Sequence, residues 1–269
     1  MTEAHAAFRG SIPRNYDRFL GPAFFEPYAL DLVRRLDVTA CNAVLEVACG
    51  TGILTRHLRT KLPEAARLVA TDLNEAMFAC AQPKFRRAEN VEWKEADASA
   101  LPFPDRSFEA VVCQFGLMFV PEKEAAIREA LRVLVPDGVL LFSVWDSIEH
   151  NPVAQLAHTT VATFFENDPP SFYETPFGFH DPALIRGLLQ KAGFRQIEFE
   201  LVKLSCRSES AADFATGLVR GNPIAAAIEE NGRVDIEMVV RAVAKKIGEH
   251  FGEKPVQSTM QALVWRAVR

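Results

Sequence analysis

The fold is decided by one segment of the chain, Ala43-Val44-Leu45-Glu46-Val47-Ala48-Cys49-Gly50-Thr51-Gly52. Its apolar first half predicts a buried β-strand. The two glycines that follow predict a tight turn, because a residue without a Cβ adopts backbone conformations that others avoid. Helical spacing begins at Ile53. A strand, a glycine turn and a helix in this order are typical of open α/β sheets, which bind ligands at the carboxyl ends of their strands.

A second predicted strand, residues 67–71, ends in an acid, Asp72, which lies 20 residues after Gly52. A carboxylate at this position can accept hydrogen bonds from both ribose hydroxyls of a nucleoside. The two segments together therefore predict a nucleoside-containing cofactor. A dinucleotide fingerprint would carry a third glycine where Thr55 stands, which counts against a nicotinamide oxidoreductase, an alternative that we retain.

The segment from Glu46 to Gly52 resembles the E-x-G-x-G-x-G signature of class I S-adenosylmethionine (SAM) methyltransferases, with Ala48 in place of the first glycine. Residues 72–77, the Asp97-Ala98 pair and the stretch at 101–109 resemble later motifs of the ubiquinone/menaquinone-like "methyltransferase type 11" group. The resemblance implies an enzyme that transfers a methyl group from SAM and releases S-adenosylhomocysteine.

The same resemblance implies roles for individual residues. Asp72 would hold the ribose, Leu73 and Met77 would enclose the adenine, and Asp97 would accept from its amino group. The full set of expected cofactor-binding residues is Tyr16, Glu46, Ala48, Gly50, Thr51, Gly52, Asp72, Leu73, Met77, Asp97, Ala98, Gln114, Phe115 and Leu117.

The alternation of strands and helices predicts an α/β fold with a Rossmann-like, doubly wound sheet. We expect seven strands, mostly parallel, with the antiparallel last strand Met260–Val268 beside the strand Ile197–Leu204, plus a helical cap. The expected organisation is an N-terminal helical lid at 1–40, a SAM-binding core at 41–146, a cap insertion at 147–180 and the rest of the core at 181–269, with a helical cap insertion at about 208–254.

Aromatic residues are concentrated outside the core. A helix is predicted over Ala23–Leu36, and its aromatic neighbours could either attach it to the sheet or form a lid over a ligand. The aromatic, proline-rich stretch 147–180 could likewise be a substrate cap or a layer that only covers the sheet. Residues 217–223 interrupt the predicted helices and could border the binding site.

The acceptor is less well defined by the sequence. Gln114 and the residues after it lack the [D/N]-P-P-[Y/F] motif of methyltransferases acting on planar amino groups, and the net charge of −5 disfavours a nucleic-acid partner. We expect a small apolar or aromatic acceptor. A non-catalytic SAM-binding protein and a tRNA or protein methyltransferase remain alternatives. If a base is needed, the candidates are His180, His158, Asp146 and Tyr173.

Composition predicts an ordinary globular protein. The five cysteines include no C-x-x-C pair, so we expect reduced thiols and no metal site. There is no apolar leader segment and no run of 18 apolar residues, so we expect a cytoplasmic protein, without a membrane partner, that is a monomer or a homodimer.

Overall fold

The computed structural model describes residues 8–167 and 169–269. Seven strands form a sheet in the order β3-β2-β1-β4-β5-β7-β6. Neighbours among β1 to β5 are parallel, and β7 runs antiparallel to both β5 and β6. The predicted fold class is therefore confirmed. The strands are β1 (Ala43–Val47), β2 (Arg67–Asp72), β3 (Val91–Glu95), β4 (Phe108–Gln114), β5 (Leu134–Trp145), β6 (Arg195–Ser208) and β7 (Val256–Val268).

Helices flank the sheet and cover its carboxyl edge. They are α1 (Ile12–Asn15), α2 (Glu26–Arg34), α3 (Ile53–Lys61), α4 (Glu75–Ala81), α5 (Lys123–Val133), α6 (Pro152–Ala162), α7 (Glu174–Phe177), α8 (Pro182–Ala192), α9 (Ala211–Arg220), α10 (Ile224–Asn231) and α11 (Ile236–Phe251). Of the helices in the described ranges, none combines the length and the apolar character that crossing a bilayer requires.

The N-terminal helix begins earlier than predicted. A π-helical segment, Tyr16–Phe25, joins α1 to α2, so the chain is helical from Ile12 to Arg34 rather than from Ala23 to Leu36. The local sequence indicates a break at Pro22, which has no N–H to donate. Packing overrides that signal, because Leu20, Phe24 and Phe25 are buried against the rest of the protein. Residues 1–7 of the expected lid lie outside the described residues.

Strand order places the binding site. The order reverses between β1 and β4, and the gap beside their carboxyl ends is where open α/β sheets accommodate ligands. The last two strands are longer than predicted, since β6 and β7 pair from Arg195 with Val268 to Ser208 with Val256. Helices α6, α9 and α11 pack together over this end of the sheet, and α9 also packs on the π-helical segment.

Candidate active site

A cavity of about 910 Å³ lies at the carboxyl ends of the parallel strands. Val47, Asp72, Gln114 and Trp145, the last residues of β1, β2, β4 and β5, all line it. Cavities that bind drug-sized ligands usually measure about 300–1,000 Å³, so this one can hold a cofactor and a second small molecule. One end is bordered by the glycine turn and acidic strand ends, and the other by aromatic rings.

The glycine turn forms one wall at the acidic end. Gly50 has a φ of +56°, and a Cβ built there would meet only the terminal methyl of Met77, at 3.5 Å. Gly50 lines the cavity, so its missing side chain leaves room for a ligand. Gly52 serves the fold instead, because a Cβ there would lie 3.2 Å from both Ala81 and Phe85.

Ala48 stands where the related signature has its first glycine. A glycine elsewhere in the chain, Gly116, leaves room for the Ala48 methyl group. Ala48 has a φ of +55°, a conformation that costs an L-residue energy. Its methyl group fills space left by Gly116, where an added Cβ would lie 2.3 Å from the Ala48 Cβ. The backbone therefore keeps the turn that a glycine would adopt.

Asp72 is held rigidly at the end of β2. Its two carboxylate oxygens accept hydrogen bonds from the backbone N–H groups of Gly50 and Asn74, each at 2.8 Å. Burial raises the pKa of the Asp72 carboxyl, although these hydrogen bonds favour the charged form. A carboxylate offers about four lone-pair positions, so the oxygens that orient the glycine turn can still accept from ligand hydroxyls.

Glu46 lies behind the glycine turn rather than in the cavity. Its side chain is only 1% exposed, and its Oε2 atom has no hydrogen-bond partner among the described residues. Burial raises the pKa of this carboxyl to about 8, and the nearby Asp72 carboxylate adds to the increase. Glu46 therefore holds a proton at neutral pH.

Further apolar and acidic residues line the acidic end of the cavity. Leu73 is 43% exposed and lines the cavity, where it offers an apolar surface to a ligand. Met77 and Ala98 also line the cavity. Asp97 receives hydrogen bonds from the backbone and hydroxyl of Ser99, at 2.8 and 2.7 Å, which order the turn after β3.

The N-terminal helical segment borders the cavity. The Tyr16 ring stacks on Phe25 with centroids 4.5 Å apart, and both rings line the cavity. Burial raises the pKa of Tyr16 well above its ordinary value, so the phenol is neutral. Gln114 also lines the cavity, and its Nε2 donates to the Phe25 carbonyl at 2.7 Å, which ties the end of β4 to the helix.

Aromatic rings dominate the other end. Phe115 and Trp145 stack with centroids 3.7 Å apart, and Phe24 meets Trp145 edge-on at 5.6 Å. Tyr173 and Phe177, from the stretch around α7, complete this wall. Aromatic residues of the N-terminal helical segment and of the 147–180 stretch thus line the cavity as well as packing together.

Of the fourteen expected cofactor-binding residues, ten line the cavity and four do not. Those that do not are Glu46, Thr51, Gly52 and Leu117. Glu46, Thr51 and Leu117 are buried, and Gly52 faces Ala81 and Phe85. Thr51 still connects the turn to the N-terminal helical segment, because its carbonyl accepts from the Lys84 ammonium at 2.9 Å while that group also pairs with Asp17.

Only one of the four candidate bases, Tyr173, lines the cavity. Asp146 has a structural role, because its carboxylate accepts hydrogen bonds from the Ser147 backbone N–H at 2.7 Å and from the Gln261 side chain at 2.6 Å. The His180 ring nitrogen Nδ1 lies 2.7 Å from the Phe177 carbonyl, and His158 contacts Tyr173 from outside the lining.

Several residues that line the cavity were not predicted from the sequence. Trp145 could have been identified, because it ends a parallel strand whose neighbours carry site residues. Asn222 lies in the segment 217–223 that was expected to border the site, but no sequence pattern marks Asn222 itself as a lining residue. Met260 comes from the antiparallel strand β7, and nothing in its local sequence marks it.

The residues at the acidic end fit a nucleoside cofactor that carries positive charge. They combine a fixed carboxylate, an open glycine turn and an exposed leucine, and no Lys, Arg or His of the described chain lines the cavity. Such a lining suits a sulfonium and an ammonium group better than a pyrophosphate, which would find no basic partner among these lining residues. In the described part of the chain, no group of His, Cys, Asp and Glu side chains could hold a metal ion.

Comparisons with known proteins agree with this geometry. Residues 44–138 match a methyltransferase domain family. The chain is 31% identical over 171 residues to the ubiquinone/menaquinone biosynthesis C-methyltransferase UbiE of Salmonella paratyphi B, covering 59% of this chain and 68% of that protein. A SAM-dependent methyltransferase from Thermotoga maritima has a TM-score of 0.58 at 18% identity, covering 98% of both chains. A phosphoethanolamine N-methyltransferase of Haemonchus contortus, in complex with SAM, has a TM-score of 0.63 at 16% identity, covering 100% of this chain and 60% of that one.

The fold and site define a class I methyltransferase. The similarity to UbiE is extensive enough to assign the chain to the SAM-dependent methyltransferase family that contains this enzyme. The predicted activity class and cofactor are therefore confirmed.

Proposed function

We propose that the protein transfers the methyl group of SAM to a small, neutral, apolar or aromatic acceptor that lies at the aromatic end of the cavity. The single observation that carries this proposal is the continuity of the cavity, in which Asp72 and Gly50 lie at one end and Trp145 and Tyr173 at the other. A cofactor held at the acidic end and an acceptor among the rings would share one enclosed space.

We assign the cofactor to the acidic end. Asp72 would accept from the ribose hydroxyls, Leu73 and Met77 would enclose the adenine, and Asp97 with Ala98 would bind its polar edge. Gly50 and Ala48 would border the methionine part, with Tyr16 and Gln114 above it. SAM supplies an activated methyl group when bound. The chain contributes alignment and exclusion of water, which account for much of the rate in such transfers.

The composition of the lining supports a neutral acceptor. Its charged side chains are Asp72, Asp97 and Glu122, and no basic side chain of the described residues is among them. A phosphate-bearing acceptor, such as the one named for the Haemonchus enzyme, would lack a cationic partner here. The same lining disfavours a nucleic-acid acceptor.

We further propose that residues 1–40 act as a lid and that the insertions at 147–180 and about 208–254 act as caps over the acceptor. Contacts of Tyr16, Tyr173 and Leu218 with the cavity support this division, because these residues come from the three segments in turn. The resulting enclosure would keep water from the transferring methyl group.

The first experiment is calorimetric titration of the purified protein with S-adenosylhomocysteine, with NAD as the control. We expect micromolar binding of the first and none of the second. Transfer of labelled methyl groups from SAM to a panel of neutral aromatic and aliphatic compounds then tests the acceptor class. Turnover of only charged or macromolecular acceptors would refute the proposal.

Asp72→Ala tests the cofactor end directly. The substitution removes the acceptors for two ribose hydroxyls, so we expect the affinity for S-adenosylhomocysteine to fall more than tenfold. Asp105→Ala, an exposed carboxylate outside the cavity, is the matched control and should bind as the unmodified protein does. Equal affinities of the two variants would contradict the ribose assignment.

A further inference from the structure

Lys84 bridges two segments that border the acidic end of the cavity. Its ammonium donates to the Thr51 carbonyl at 2.9 Å and also pairs with the Asp17 carboxylate. Thr51 directly follows Gly50 and Asp17 directly follows Tyr16, and both Gly50 and Tyr16 line the cavity. Lys84, Thr51 and Asp17 do not line the cavity themselves. One side chain outside the cavity therefore joins the glycine turn to the start of the π-helical segment.

The backbone of Lys84 is fixed on the side of the glycine turn. Arg56 of α3 donates to the Lys84 carbonyl, and its guanidinium carbon lies 3.8 Å from the centroid of the Phe85 ring. Phe85 also occupies the space beside Gly52, where an added Cβ would lie 3.2 Å from its ring. Lys84 and the turn therefore belong to one packed unit. If the bridge parts, Asp17 and the π-helical segment move away from this unit.

The two ends of the π-helical segment are attached differently. At its carboxyl end Phe24 and Phe25 are buried, and Gln114 donates to the Phe25 carbonyl at 2.7 Å. At its other end the side chains of Asp17 and Lys84 are 25% and 34% exposed, so water can replace their ion pair at little cost. The bridge is thus a contact that can part and form again while the buried end of the segment stays in place.

We propose that Lys84 is a positioning residue that holds Tyr16 beside the glycine turn, and that its bridge to Asp17 parts each time the cofactor enters or leaves. This inference rests on the proposed function, since it takes the acidic end of the cavity as the cofactor site. The bridge lies outside the cavity, so it stabilises the closed arrangement equally with and without a ligand. Its loss should therefore speed binding and release by the same factor and leave the affinity nearly unchanged.

The test compares the full chain with Lys84→Met, which keeps a long side chain and removes the ammonium. Release of tritium-labelled S-adenosylhomocysteine into excess unlabelled ligand gives the dissociation rate constant. Calorimetry gives the Kd, and the two values together give the association rate constant. Both rate constants should rise about two- to fivefold, the usual effect of one partly exposed ion pair, while the Kd changes by less than about twofold. Asp17→Asn should act in the same direction, and the double variant should be no faster than Lys84→Met.

Lys191→Met is the matched control. The Lys191 ammonium lies 2.8 Å from the Glu124 carboxylate and joins α8 to α5, and neither residue lines the cavity. This variant should keep both rate constants of the unmodified protein. Added NaCl gives a second readout, because it screens exposed ion pairs. It should speed release from the unmodified protein and from Lys191→Met, and it should leave release from Lys84→Met unchanged.

The outcomes are distinguishable from failure of the proposed function. If the unmodified protein does not bind S-adenosylhomocysteine, the cofactor site itself is refuted. Normal binding with unchanged rate constants in Lys84→Met and Asp17→Asn would overturn the role of the bridge alone. Faster release without faster association would also overturn it, because the weaker affinity would show that Lys84 only supports the turn. If Lys84→Met does not fold, the nearly isosteric Asp17→Asn decides.

Discussion

Replacing Glu46 with glutamine should change how stability depends on pH. Glu46 lies on the central strand β1, paired between Ala70 of β2 and Val112 of β4, and is 1% exposed. Burial raises its pKa from 4.5 to about 8 in the folded protein. Glutamine has nearly the same shape and carries no charge at any pH.

The direction in which stability changes with pH follows from the protons bound by each state. Between pH of about 4.5 and 8 the unfolded chain releases the Glu46 proton and the folded protein keeps it. Stability then falls as pH rises, because the folded state binds more protons than the unfolded state. Below this window both states are protonated, and above it the loss is complete.

The magnitude can be estimated from the two pKa values. Between about pH 5 and pH 7, the Glu46 contribution should lower the free energy of unfolding by roughly 2 kcal/mol, at about 1.4 kcal/mol per pKa unit. Other groups titrate in the same range, so the relevant quantity is the difference between the Glu46→Gln variant and the unmodified protein. The variant should gain about 2 kcal/mol relative to the unmodified protein over this interval.

Urea unfolding at several pH values, without cofactor, measures this difference. Glu95→Gln, which changes an exposed glutamate at the end of β3, is the control and should give a constant difference. A constant difference for Glu46→Gln as well would mean that Glu46 titrates equally in both states. The account of its burial and unpartnered oxygen would then be wrong.

Three further substitutions test the turn beside the cavity. Gly50→Val should abolish S-adenosylhomocysteine binding in a folded protein, because its side chain would project into the cavity near Met77; retained binding in calorimetry would show that the turn does not touch the ligand. Ala48→Gly should raise the free energy of unfolding by about 1 kcal/mol and the melting temperature by about 2–4 °C, because it removes an alanine from a backbone φ of +55°. A lower melting temperature in scanning calorimetry would contradict this expectation. Gly116→Ala should lower the free energy of unfolding by about 1–3 kcal/mol, because the added Cβ would lie 2.3 Å from the Ala48 Cβ. This loss should be smaller when Ala48 is also replaced by glycine. If the effects of the two substitutions on the free energy of unfolding simply add, the coupling between these positions is refuted.

Local sequence determines the acidic end of the cavity because its parts are encoded over short distances. The apolar run to Val47 specifies a buried strand, Gly50 specifies a left-handed turn, and Asp72 ends the next strand. Parallel strands bring their carboxyl ends to one edge, so these residues meet without further information. Sequence patterns could not tell which of the motif residues face the ligand, and Glu46 proves to be behind the turn.

The sequence by itself thus determined the fold class and the kind of cofactor. Only the tertiary structure decided the arrangement of the aromatic end of the cavity. Tyr173 is 45 residues from Leu218 and Gln114 is 89 residues from Phe25, yet each pair is hydrogen-bonded beside the cavity. Such contacts depend on how helices pack over the sheet, and a local pattern carries no information about which distant side chains will face each other there.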